Sequence, residues 1–298
     1  MVALSCGDAG HVEDFLSTVV EDACRKTRLV AALPDPHIAF TLLRHCCGFG
    51  LAVYYMRACG PHDELFGKLD DATFDAFARI TTAVDPSVRV QVELPARHGG
   101  FGLRPSAPHA GVAYIAASTV ASTYRPALLA PHVVTDDGDE TLLCAISSPA
   151  ISSSATVSAL VGDYVRQGGK PGDHKQRELS HAIEDEASAR FLASLATDGD
   201  RARVNSARAP HASSWLMPRP FEDDVDGWLR ATEFQALVRL RLGLPQHGAE
   251  DGQPCQLCHG KSIADAMGRH SLTCLSSGLR AQVHNDVRDV IHRLAAPA

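Results

Sequence analysis

Hydrophobic positions recur at helical spacing along much of this chain. From Ile38 onward, apolar residues follow one another at intervals of 4, 4, 3, 4 and 3: Leu42, Cys46, Phe49, Val53 and Met56. This is the period of one face of an α-helix. Comparable patterns predict a mainly α-helical fold, with helices near residues 11–30, 37–58, 73–84, 175–197, 232–243 and 278–295.

Proline, glycine and short polar residues separate these segments. Residues 131–156 are rich in Ser, Pro, Thr and Asp, which favours a surface connection, and Thr141–Ile146 is the one mild strand candidate. The glycine-rich stretch 94–104 lacks the Lys-Ser/Thr pair of a P-loop, so we interpret it as a structural loop packed on the helices. Trp215 is expected to be buried as an anchor, and the run 184–186 to form a solvated acidic face.

Length and charge restrict the class of protein. The chain has 298 residues, enough for one large or two smaller domains, and a net charge of −7. Residues 1–200 carry 16 Lys and Arg against 25 Asp and Glu, whereas residues 201–298 carry 12 against 10. Any contact with phosphates is therefore expected in the C-terminal third.

The nine cysteines bear on the cellular compartment. We expect neither a signal peptide nor a membrane span, because the N-terminus has no basic and apolar leader and no long apolar run occurs. Cysteines without a secretory signal are typical of a reducing, intracellular compartment, and a nuclear location is compatible with it. Six of them are interpreted as small core residues: Cys6, Cys24, Cys46, Cys47, Cys59 and Cys144.

The remaining three cysteines form a pattern with one histidine, Cys-x2-Cys-x11-His-x3-Cys. Three thiolates and an imidazole are the ligands of a closed tetrahedral Zn²⁺ site. His259 is the alternative nitrogen ligand, and the plain alternative is ordinary core thiols near a surface histidine. The expected zinc ligands are Cys255, Cys258, His270 and Cys274.

A basic stripe runs along the predicted terminal helix. Its four members are each four residues apart, so they share one helix face and could donate hydrogen bonds to phosphates. Lys261 and Arg269 would contribute from the cysteine-rich loop, whereas Asp286 and Asp289 weaken the field, and a merely solvated face is the alternative. The stripe consists of Arg280, His284, Arg288 and His292.

Four segments also carry a family likeness in their order along the chain. The segments are Asp35-Pro36-His37 with Tyr54-Tyr55-Met56-Arg57; Gly99-Gly100-Phe101-Gly102-Leu103-Arg104; Ser214-Trp215-Leu216 with Arg239-Leu240-Arg241-Leu242-Gly243; and the cysteine pattern with His284-Asn285-Asp286. This order resembles the C-terminal region of non-LTR retrotransposon reverse transcriptases, after the polymerase palm. The resemblance implies a thumb-like region (1–130), a helical connector with surface loops (131–250), and a zinc knuckle with a terminal helix (251–298).

The chain departs from a complete reverse transcriptase. The Asp pairs at 70–71, 136–137 and 223–224 do not lie in an apolar hairpin, as metal-binding palm carboxylates would. We therefore expect a fragment without palm or nuclease, not an enzyme, whose zinc-stabilised knuckle binds RNA or DNA.

Two other functions are open alternatives. One is a helical scaffold or protein-interaction module with a structural zinc site. The other is a Cys–His hydrolase that uses Cys258 with His259 or His284. The oligomeric state is not predicted.

Overall fold

The computed structural model describes residues 9–128, 137–168, 175–216, 229–246, 248, 251–274 and the single positions 278, 281, 285 and 288. Over these ranges the chain is mainly α-helical, and its β-pairing is an isolated bridge between Pro254 and Ile263. The expected fold class is thus confirmed. Two compact units make up the chain, residues 1–235 and 236–298.

The helices of the described ranges are short to medium in length. They are α1 Ala9–Ala31, α2 Pro36–Cys46, α3 Phe49–Cys59, α4 Asp63–Thr81, α5 Arg89–Glu93, α6 Ala107–Leu128, α7 Asp137–Ile146, α8 Pro149–Ser152, α9 Ala155–Gln167, α10 Lys175–Ser194, α11 Asp198–Ala207, α12 Ala231–Leu242 and α13 Arg269–Thr273. Most of the helix predicted over 278–295 lies outside the described residues, although positions 281, 285 and 288 are helical.

The single helix expected over 37–58 is wrong, since the structure has two helices, α2 and α3. Asp35 begins α2 by accepting hydrogen bonds from the backbone N–H groups of His37 and Ile38 at 2.8 and 2.9 Å. The helical path then breaks at Gly48, whose φ is +53°. Only glycine adopts this conformation without strain, and it ends the helical path here. The apolar periodicity nevertheless continues from α2 into α3, across the break in the backbone.

Two further boundaries differ from expectation. Helix α4 starts ten residues before 73, at Asp63, because Leu65, Phe66 and Leu69 extend its buried face toward the N-terminus. The segment 131–156 is not a plain surface connection, since α7 and α8 lie within it, and Thr141–Ile146 is helical rather than a strand.

Two apolar clusters hold the first unit together, and α6 contributes to both. Ala110 and Ala113 belong to a cluster with residues of α1, α3 and α4, whereas Val112 and Ile115 belong to one with residues of α7 to α10. The small side chains of α6 allow helices to pack closely on both sides. The long α6 is therefore the central helix of this unit.

The loop 94–104 packs on the helices through a group of aromatic side chains, which confirms the predicted packing of this loop. Phe101 is fully buried, with ring centroids 5.0 Å from Phe77 and 6.0 Å from Phe40. Trp215 packs edge-on against Phe101 at 6.5 Å but is only partly buried, so the prediction of its burial is wrong. Its neighbour Leu216 is the fully buried anchor.

The glycines of this loop serve the fold. The backbone N–H groups of Gly99, Gly100 and Gly102 donate to carbonyls of the loop itself, at 3.0, 3.1 and 2.8 Å. These donors are therefore occupied and do not form a phosphate cradle. A Cβ at Gly100 would lie 2.0 Å from the carbonyl oxygen of Leu94, so this position accepts only glycine.

Glu184 is not part of a solvated acidic face, which corrects the expectation for the run 184–186. Its side chain is only 3 % exposed, and its Oε2 accepts a hydrogen bond from Arg97 at 2.8 Å. Its Oε1 accepts from Arg104 at 2.5 Å. The buried carboxylate of Glu184 thus connects helix α10 to the loop 94–104 through ion pairs with Arg97 and Arg104.

One stretch has the length and composition of a membrane-spanning helix, within the residues that the structure describes. It is Pro36–Cys59, 24 residues long. Core helices of soluble proteins meet the same criterion, and here the stretch is divided between α2 and α3, with Phe40, Leu43 and Met56 buried. The absence of a membrane span stays a prediction.

Candidate metal centre

The first pair of cysteines lies on a tight loop in the second unit. The backbone N–H of Cys255 donates to the carbonyl of Ser262 at 2.9 Å, and that of Gly260 donates to the carbonyl of Cys255 at 2.9 Å. His259 and Gly260 both have positive φ, 53° and 78°, which reverses the chain after Cys258. The two thiols are consequently turned inward, with Cys255 3 % and Cys258 4 % exposed.

The second pair of ligands depends on the short helix α13. Gly268 precedes this helix with φ +71°. The Asp265 carboxylate accepts hydrogen bonds from the backbone N–H groups of His270 and Arg269, at 2.6 and 3.1 Å. Burial acts to raise the pKa of Asp265, but these bonds outweigh it and lower that pKa below its usual value. Asp265 therefore holds the first turn of α13 as an ionised cap.

Three thiols and one imidazole converge between these two segments. The ligand atoms of Cys255, Cys258, His270 and Cys274 all lie within 4.8 Å of one another. The Cys258 Sγ lies 3.7 Å from the His270 Nε2. A tetrahedral zinc site, with Zn–S near about 2.3 Å and Zn–N near about 2.0 Å, requires an S···N separation of about 3.5 Å. These four residues thus form a group that could hold a metal ion.

His259 is not part of this group. Its side chain is exposed, on the outside of the turn that follows Cys258. The histidine in the cluster is His270, the one whose spacing suits the metal pattern. The alternative partner of a Cys–His hydrolase, His284, lies outside the described residues.

The cluster favours deprotonated sulfur. Burial acts to raise the pKa of the Cys258 thiol. Hydrogen bonds have a larger, opposite effect, and the net pKa is lowered to about 7. The groups that make these bonds are His270, Cys255, Cys274 and the backbone of Ser262. Thiolates rather than thiols are the metal-binding form. The lowered pKa of Cys258 thus favours the form that binds metal.

The residues expected to contact phosphate are only partly within the described residues. Lys261 and Arg269 are exposed on the cysteine-rich segment, and Arg288 is exposed at a helical position. Arg280, His284 and His292 lie outside the residues that the structure describes. The predicted stripe of four residues therefore stays a prediction.

Sequence inspection missed the residues that support the metal ligands. Besides Asp265, Asp251 accepts a hydrogen bond from the backbone N–H of Ala266 at 2.8 Å. The available signal was an aspartate three residues before the glycine that opens α13, a spacing that suits a side-chain cap.

Comparison with protein-family models, curated proteins and solved structures yields no match to this chain. The resemblance to non-LTR retrotransposon reverse transcriptases therefore depends on its motifs alone and stays a hypothesis.

Proposed function

We propose that residues 251–274 bind one Zn²⁺ in a structural site. The observation that carries this proposal is the convergence of three buried thiols and the His270 Nε2 within 4.8 Å. Three sulfur ligands and one nitrogen ligand suit Zn²⁺ among the common divalent ions. Because the protein supplies all four ligands, no coordination position is left for a substrate, and the site stabilises rather than catalyses.

Metal binding would stabilise the second unit directly. One cluster of buried side chains in this unit consists of the three cysteines themselves: Cys255, Cys258 and Cys274. Thiolates in such a cluster repel one another in the absence of a cation, whereas a bound ion links them and takes the place of an apolar core. Thiols must be reduced to bind, so the proposal also places the protein in a reducing, intracellular compartment.

Metal analysis with a matched control tests this site. The purified protein should hold about one equivalent of Zn²⁺, and Co²⁺ should replace it with the absorption spectrum of a tetrahedral thiolate site. C274S should lose that spectrum. Cys144 is exposed, so its expected place in the core is wrong, and it lies outside the cluster; C144S should therefore retain the spectrum. Full metal content in C274S would contradict the assignment.

We further propose that the zinc-stabilised unit binds RNA or DNA through its exposed cations. Lys261, Arg269 and Arg288 are exposed. Arg280, His284 and His292 extend the predicted stripe. The charge balance supports this placement, since residues 201–298 have a net charge of +2, from 12 Lys and Arg against 10 Asp and Glu. The contacts would be with phosphates, so affinity should be modest and should fall as salt increases.

A salt-dependent titration tests the binding. Short RNA and DNA strands are titrated at two salt concentrations against wild-type protein, R280A/R288A, and R177A as a control in the first unit. Each lost phosphate contact should lower the salt slope by about one. The double variant should bind more weakly with a reduced slope, and R177A should match wild type. An unchanged slope in the double variant would contradict the proposal.

A protein-interaction module is the second candidate, and one observation favours it. Leu257 and Ile263, two apolar residues of the cysteine-rich segment, are 42 % and 66 % exposed, and exposed apolar surface often marks a site of protein interaction. A photo-crosslinking residue at position 263 distinguishes the candidates. Crosslinks to protein but not to nucleic acid would support this candidate, and crosslinks to nucleic acid alone would exclude it.

A further inference from the structure

A polar cavity of about 270 Å³ lies in the first unit, whereas the cysteines of the candidate metal centre belong to the second. It is bordered by the junction of α2 and α3 on one side and by the loop 94–104 on the other. Its ionisable lining residues are Arg44, His45, Glu93, Arg104 and Glu184. The cavity is too small for a large cofactor but large enough for a compact ionic group.

Both carboxylates in the lining already have a guanidinium partner. Glu93 accepts a hydrogen bond from Arg89 at 2.7 Å. Glu184 is bound by Arg104 at 2.5 Å and by Arg97 at 2.8 Å. Neither acid is therefore left to compensate a further cation in the cavity.

Arg44 is the cation without such compensation. Among the residues that the structure describes, its guanidinium makes no hydrogen bond or ion pair, and burial alone lowers its pKa. The guanidinium packs against Gly102, which has no side chain to displace it. A Cβ at Gly102 would lie 3.0 Å from the Nε and 3.1 Å from the Nη2 of Arg44. A half-buried cation without an anion is costly.

A second guanidinium is held at the same cavity. Arg104 lies over the ring of Phe49, with its Cζ 4.8 Å from the ring centroid. Its Nε and Nη2 both donate to a single oxygen of Glu184, at 2.6 and 2.5 Å, so its Nη1 is not engaged there. The first turn of α3, which has no side-chain cap, borders the cavity and adds a weak positive potential.

We propose that this cavity binds a phosphate group through Arg44 and Arg104. A guanidinium presents several N–H donors in one plane, which match the oxygens of a phosphate better than a single-point ammonium would. The phosphate belongs either to a small free phosphate compound or to a nucleic-acid backbone, and both present the same chemistry to Arg44.

The experiment measures pyrophosphate binding to the full-length protein by calorimetry. The variants are R44Q and R177Q, the latter removing an exposed arginine of α10 that does not line the cavity. R44Q should weaken binding roughly ten- to hundred-fold, the range for losing hydrogen bonds to a charged group. R177Q should leave it unchanged. Equal binding by wild type and R44Q, or no binding by wild type, would overturn the proposal.

Folding is monitored by circular dichroism. Because Arg44 has no protein partner in the described residues, R44Q without pyrophosphate should be at least as stable as wild type. Unfolding of R44Q would show that Arg44 has a structural role and would also overturn the proposal. R44K should recover only part of the affinity, since it keeps the charge and loses the planar donors.

Two further arms identify the source of the phosphate and separate this proposal from the zinc site. A short single-stranded oligonucleotide that competes with pyrophosphate, in wild type but not in R44Q, indicates a backbone phosphate. Pyrophosphate binding without such competition indicates a small compound. A zinc chelator should leave pyrophosphate binding intact, because the cavity belongs to the first unit and the cysteines of the candidate metal centre belong to the second. Loss of pyrophosphate binding with the chelator would contradict an independent site.

Discussion

Removal of the buried Glu184 carboxylate should destabilise the first unit markedly. E184Q keeps the size of the side chain and one acceptor oxygen but removes the negative charge. Arg97 and Arg104 would then face a neutral amide, and the amide nitrogen would oppose one of their donors. Asp185 lies 3.2 Å from Arg97 and can replace part of what that arginine loses. Within the described part of the chain, no second carboxylate contacts Arg104.

The expected cost follows from burial and exposure. Removing one partner of a fully buried ion pair costs about 3–5 kcal/mol. Here the carboxylate is 3 % exposed, but the arginine side chains are 41 % and 32 % exposed, so water compensates for part of their loss. We therefore expect E184Q to lower the free energy of unfolding by about 2 kcal/mol. E184L, which removes both oxygens, should cost more.

Urea unfolding followed by helical circular dichroism measures this cost. The control is E178Q on the same helix, where Glu178 is 61 % exposed and paired with Lys175. That surface pair should contribute less than about 0.5 kcal/mol. If E184Q unfolded at the same urea concentration as E178Q, the buried network would not hold the loop 94–104 against α10, and the reasoning would fail.

Three other predictions concern glycine packing, pH and metal. G100A should prevent normal folding, since its Cβ would lie 2.0 Å from the carbonyl oxygen of Leu94. In G67A the new Cβ would meet nothing within 4 Å, so this variant should stabilise α4 by about 0.5–1 kcal/mol. Thermal melts of both variants check this. Burial raises the pKa of Asp70 from 3.8 to about 7, so the folded state retains a proton that the unfolded chain releases. The free energy of unfolding should then decrease as the pH rises from about 4 to about 7, by at most about 1.4 kcal/mol per pH unit. D70N should flatten this slope in urea titrations at several pH values. A zinc chelator should increase hydrogen exchange in residues 251–274 of wild type and have no effect in C274S, and equal exchange with and without chelator in wild type would count against a structural metal.

Local sequence was sufficient for some of the helices and for the cluster of three cysteines and one histidine. The periodicity of residues 175–197 and 232–243 matches α10 and α12 closely. The four ligands lie within twenty residues of one another, 255 to 274, so the loop and a single helical turn bring them together without distant contacts. A ligand pattern of this kind is a local property, and its geometry follows from turn residues that can be seen in the sequence.

Tertiary structure decided what periodicity could not show. The apolar pattern of 37–58 is continuous, yet Gly48 breaks the helix, because hydrophobic spacing does not report backbone φ. The acidic run 184–186 resembles a solvated face, yet Glu184 is buried by arginines about eighty residues earlier in the chain. Arg44, on α2 beside the loop 94–104, has no carboxylate partner among the residues that the structure describes. Burial of a charge depends on which distant segments meet it, and that information is absent from the spacing of neighbours along one helix.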